Sequence, residues 1–206
     1  MTRLLPFVVV IFVSACGKHV PDSIIEKLPY ESRIDLLEAE NDLAIAVDRL
    51  DEAHNEVTRT KDQIRRAKDR LKGADSESSN ASDQTSRDVA QLAISEADAR
   101  IDYLKAKQTV NLEEEKLTEI ALKCAVARFE QSKLEAARKK KIEGSEALDP
   151  ADFENEVKLC DEKYAAERTE AKAIAAQAEE VKNKWETTRQ SLAKKTFDAR
   201  ASPYVE

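Results

Sequence analysis

Three cysteines, two histidines and one run of four basic residues are the side chains whose type and placement could do distinctive chemistry in this sequence. A thiol can attack as a nucleophile, bind a soft metal, close a disulfide or carry an attached group, and its neighbours decide which. His19 and His54 have no recognisable ligand set or nucleophile partner spaced around them. No Gly-rich phosphate loop, Ser-centred elbow or clustered Cys/His spacing is present either. The many Asp and Glu residues have the density of a solvated helix face. The expectation is a protein that is not an enzyme and takes no metal or cofactor. Disulfide formation and attachment remain for Cys16, Cys124 and Cys160, and anion or membrane contact for Arg138, Lys139, Lys140 and Lys141.

Cys16 stands at the end of an N-terminal apolar run. Arg3 precedes Leu4 to Val13, which at about ten residues is well short of the roughly 20 needed to span a bilayer as a helix. A positive start, a short apolar stretch and the small residues Ser14 and Ala15 together form a secretory signal. Val13-Ser14-Ala15-Cys16 resembles the lipobox of bacterial lipoproteins, in which an aliphatic and two small residues precede a Cys. The resemblance covers residues 1–17. It implies that the Cys16 sulfur carries a diacylglycerol, that residues 1–15 are removed as a lipoprotein signal peptide and that the new amino group is acylated. Gly17 in place of Asp then points to the outer membrane, facing the periplasm. Ordinary secretory cleavage after Ala15 is the competing reading and would leave Cys16 a free or bridged thiol. Each buried methylene contributes about 0.8 kcal/mol, so several acyl chains on one sulfur would hold the chain to a bilayer almost permanently.

Removal of residues 1–15 deletes one basic residue, Arg3, and no acid, so the formal charge of −7 becomes −8. A nucleic-acid partner is therefore not expected. Three Gly, 5% aromatic and 36% charged residues describe neither a turn-rich β protein nor an aromatic globular core. They fit long charged helices.

Three segments have the required periodicity. Leu36, Leu43, Leu50, Val57, Ile64 and Leu71 recur at heptad spacing, and Ala39, Ala46, Ala53, Thr60 and Ala67 follow at the second seam position. They predict a helix over 30–72, with Gly73 as its left-handed terminator and a polar connector over 73–86. A second helix is expected over 87–142, its seam interrupted by Glu96, Glu113 and Gln131, polar positions that can fix register. Gly144 follows it. Asp149-Pro150 has the form of an N-cap and first helical residue, and starts a third helix over 150–196, with Phe153, Val157, Cys160, Tyr164, Glu167, Trp185 and Leu192 on its seam. The simplest fold is all-α, with long antiparallel helices in a three-helix coiled-coil bundle spanning 30–196. Helix 1 should cover the first two-thirds of helix 2, and helix 3 the last two-thirds. Residues 16–29 read as the lipidated Cys and a tether, and 197–206 as a C-terminal tail. The heptads leave a homo-oligomer open, since seams can also close between chains.

On these elements Cys124 and Cys160 lie on neighbouring seams, but ideal helices ending at 142 and starting at 150 misalign them by roughly 12 Å. An end to helix 2 near Arg138 would remove most of that offset, so both a disulfide and two free buried thiols stay open. The run Arg138–Lys141 either complements the carbonyl end of helix 2 or, at a tip that returns toward the anchor, faces anionic headgroups.

The expected role is a non-enzymatic envelope lipoprotein, a helical spacer or docking element with an envelope protein or peptidoglycan as partner. It is similar in plan to helical lipoproteins that link outer membrane and peptidoglycan. The murein lipoprotein uses a terminal Lys for covalent attachment, whereas this sequence ends in Glu206, so that route is not expected here. An adaptor or holdase-like module that engages partner helices is the alternative, and a soluble secreted helical protein a third.

Overall fold

The computed structural model describes residues 17–196; the signal segment, Cys16 and the tail 197–206 lie outside the described residues. Two short helices, α1 (Asp22–Ile25) and α2 (Tyr30–Ile34), precede three long ones, α3 (Leu37–Asn80), α4 (Gln84–Lys139) and α5 (Pro150–Thr196). Among the described residues there is no strand. At 1.5 Å per residue α4 is about 84 Å long, and α3 and α5 run about 66 and 70 Å. The protein is an all-α bundle in which α3 and α5 each pack antiparallel on α4.

Heptad residues of α3 make the first seam. Ala46, Ala53, Val57, Thr60, Ile64 and Ala67 are buried, and Ile64 and Ala67 close a cluster with Ile101 and Leu104 of α4. Each large seam residue stabilises by roughly 1.5–3 kcal/mol when fully buried, while the alanines let the backbones approach. One polar pair is set into this seam. The Asn111 amide donates to Thr60 Oγ1 at 2.8 Å, and Thr60 Oγ1 donates to the Glu56 carbonyl at 2.9 Å.

The second seam of α4 lies on another side of the helix and faces α5. Leu134 meets Phe153 there, Cys124 meets Cys160, Lys116 meets Glu167, Glu96 meets Trp185 and Asp88 meets Lys195. Helix α5 thus follows α4 along almost its whole length, and α3 does the same on its own seam. The expected two-thirds coverage by each outer helix is corrected.

For α3 the main reason is Gly73. It lies inside α3 and does not end it: Ala74 continues the heptad with 6% exposure, and Gly144 is the only described glycine with positive φ. A glycine weakens a helix interior by about 1 kcal/mol but does not stop one whose seam continues. The connector therefore shrinks to residues 81–83, where Asp83 caps α4 by accepting the Ser86 N–H at 2.9 Å. The Ser86 N–H and hydroxyl hold the Asp83 carboxyl below its ordinary pKa.

At the other end α4 stops at Lys139, not at 142. The Lys141 N–H bonds the Arg138 carbonyl at 3.0 Å and the Ile142 N–H bonds the Ala137 carbonyl at 2.9 Å. Lys141 itself sits at φ 55°. This is a Schellman ending with Lys where glycine is usual, and Ile142 packs back on the buried tip. Gly144, also left-handed, leads into the 3₁₀ turn Ser145–Ala147, and Asp149 caps α5 by accepting the Ala151 N–H.

Candidate functional site at the hairpin tip

Residues 17–29, expected to be a tether, are docked on the turn between α4 and α5. Val20 and Ile24 enter an apolar cluster with Leu134, Ala137 and Phe153, flanked by Ile25, Ile142 and Leu148. Polar groups pin the same arm. The Val20 N–H donates to Glu130 Oε2 at 2.8 Å, while Lys133 Nζ lies 2.7 Å from Glu130 Oε1 and His19 Nδ1 lies 3.2 Å from Oε2. Glu130 is only 6% exposed, so its carboxylate is a buried clamp for the arm. The Lys18 N–H donates to Glu156 at 2.7 Å and Lys18 Nζ to Asp152 at 2.7 Å; Asp152 raises the Lys18 pKa. Arg33 ties the arm to α2 by donating to the Leu28 and Glu26 carbonyls.

The sequence carried a signal for this docking. Val20, Ile24 and Leu28 recur every four residues in an apparent tether, and all three are buried. The partners of Val20 and Ile24, Leu134 and Phe153, are more than a hundred residues away, so the pattern shows an apolar face without showing what covers it.

The basic run divides at the same tip. Arg138 Nε and Nη2 donate to the Ser145 and Leu148 carbonyls at 3.3 and 2.9 Å. Arg138 therefore holds the tip loop together. Lys139, Lys140 and Lys141 are exposed, and none has an ion-pair partner among the described residues.

The structure joins Cys124 and Cys160 in a disulfide with Cα atoms 5.4 Å apart. Ending α4 at Lys139 reduces the ideal-helix offset to roughly 7 Å, which the connection over 140–149 absorbs. Further along, Trp185 Nε1 donates to Glu96 Oε1 at 2.7 Å. Tyr103 stacks on the indole at 5.1 Å, and the Arg100 and Arg189 guanidinium groups lie 5.2 and 5.8 Å from its centre. Glu96, an interruption of the α4 seam in the sequence, is 2% exposed and pairs with the only Trp of the chain. Glu113 instead pairs along its own helix with Lys116, and Gln131 with Glu135. His54 Nδ1 lies 2.8 Å from Glu115 on the exposed side of the α3–α4 seam.

Between α3 and α5 a groove of about 530 Å³ lies open over α4, floored by Ala46, Ala121, Cys124 and Ala125 and walled by Ile45 and Tyr164. Asp35, Glu38, Asp42, Arg49 and Arg128 edge it. Among the described residues no group of three or more His, Cys, Asp or Glu side chains could hold a metal ion, and no helix is long and apolar enough to cross a membrane. Comparison of the chain with protein-family models, with curated proteins and with solved structures gave no match.

Proposed function

We propose that the protein is a non-enzymatic bacterial envelope lipoprotein, anchored through Cys16 and acting as a helical spacer or docking element at the membrane. The observation that carries the reading is the docked arm. Lys18 is fixed against α5, so a lipid on Cys16 would be held within two residues of one end of a rod about 80 Å long, instead of on a free leash. A spacer needs that arrangement, because reach is defined only when the anchor is fixed to the body. The outer membrane, with the rod in the periplasm, is the location that Gly17 after the lipobox supports.

Mass spectrometry of the mature N-terminal peptide tests it together with Triton X-114 partitioning. Acyl-glyceryl mass on Cys16 and recovery in the detergent phase are expected. An unmodified Cys16, with the processed protein in the aqueous phase, overturns the anchor and leaves a soluble secreted helical protein.

The groove between α3 and α5 favours a second role, an adaptor that takes a partner's helix. Tyr164, which walls the groove, is only half-buried, as are Val157, Ala171 and Ile174 elsewhere on α5, and seams of this kind are completed by added helices. Helicity and unfolding midpoint that change with protein concentration would favour assembly through those seams, and their constancy favours the spacer.

A further inference from the structure

We infer that Lys139, Lys140 and Lys141 form a headgroup-facing surface that meets anionic phospholipid in the bilayer holding the anchor. The inference rests on the lipoprotein reading for the identity of that bilayer and on the tip geometry for the surface.

The other lysines around the tip are engaged: Lys18 with Asp152, Lys27 with Glu143 and Lys133 with Glu130. The three in the run are exposed and unpaired among the described residues. Hydrogen-bond capping of the Ala136, Ala137 and Arg138 carbonyls does not account for them, because backbone N–H groups already serve these three: Lys140 N–H bonds Ala136, Ile142 N–H bonds Ala137 and Lys141 N–H bonds Arg138. Arg138 differs from its neighbours in holding the loop carbonyls, so it is excluded from the surface. Lys141 also occupies a left-handed position at φ 55°, where glycine would be unstrained. The arm makes the placement consequential. It packs on Ala137 and Ile142, which bracket the lysines, so the point where the chain would enter lipid and the three ammonium groups share one end of the rod. Basic residues held at an anionic surface each strengthen association about fivefold, an effect that fades within a Debye length. At this end they would set the rod upright instead of adding a separate anchor.

The test inserts the purified lipidated protein into the outer leaflet of vesicles of phosphatidylcholine alone or mixed with phosphatidylglycerol. An impermeant amine-reactive reagent then reads each lysine by mass spectrometry. Labelling of Lys139, Lys140 and Lys141 should fall several-fold in the anionic vesicles and recover in high salt, while Lys68 and Lys194, toward the far end, label equally in both. Equal labelling of the trio in both vesicles overturns the surface and leaves the anchor standing. Should Cys16 prove unmodified, the anchor reading fails separately, and the bare processed chain takes the same test. Its sedimentation with anionic but not zwitterionic vesicles, lost in K139A/K140A/K141N, upholds the surface, and no sedimentation overturns it. Asn is used at 141 because it tolerates the left-handed backbone.

Discussion

Lys141 shows how a single residue can be held in an unfavourable conformation. A left-handed L-residue costs roughly 1–2 kcal/mol, part of which a glycine gives back through its looser unfolded state. Lys141→Gly is therefore expected to raise stability by about 0.5–1 kcal/mol in urea unfolding, whereas Lys141→Val should lower it. The Glu96–Trp185 hydrogen bond is the reciprocal case, a buried polar pair that satisfies itself. Glu96→Ala leaves the indole N–H without its acceptor and should cost about 1–3 kcal/mol. Replacing both partners, Glu96→Leu with Trp185→Phe, should lose less than the sum of the two single changes, as read by a double-mutant cycle. The pair was half legible in the sequence: an acid on one seam and the only Trp on the next stand out, but their meeting depends on a register that no single helix encodes.

Among the elements, periodicity was most informative where packing is regular. The heptads from Leu43 on and the Asp149-Pro150 start of α5 give helices that form, whereas the single helix expected from residue 30 breaks at residues 35–36 between α2 and α3. Gly73 was misleading because local propensity argues for a stop, while the seam, continued by Ala74, outweighs it. The disulfide belongs to this scale too, since it ties α4 to α5 across a sequence separation of 36 residues. Loop-closure entropy for a ring of that size is worth about 4 kcal/mol. The Cys124→Ser/Cys160→Ser variant should unfold at clearly lower urea concentration than the oxidised protein, and reduction of the wild type should reproduce most of that loss. An unchanged midpoint would mean that the packing around Ile120 and Leu134 already holds α5 in place.

For the molecule as a whole, the Glu130 clamp decides whether the arm is part of the rod. Glu130→Ala deprives the Val20 N–H and Lys133 of their acceptor in a buried site, which should release residues 17–29 while α3, α4 and α5 remain folded. Trypsin cleavage after Lys18 and Lys27 is expected to accelerate at least tenfold, with far-ultraviolet dichroism nearly unchanged. The arm was the part of the candidate site least legible in the sequence. Its apolar spacing was visible, but its receptor is built from two other helices, and a short segment before a long helix looks the same whether or not such a receptor exists.

That receptor has a consequence for the order of events during biosynthesis. The arm is made before its receptor: Phe153, Asp152 and Glu156, which it needs, come later, with Lys18 bonding a residue 138 positions downstream. A domain generally folds as a unit, and this arm must wait until α5 has appeared. Until then residues 18–29 would remain an undocked segment, and the last step of folding would draw them against the finished body.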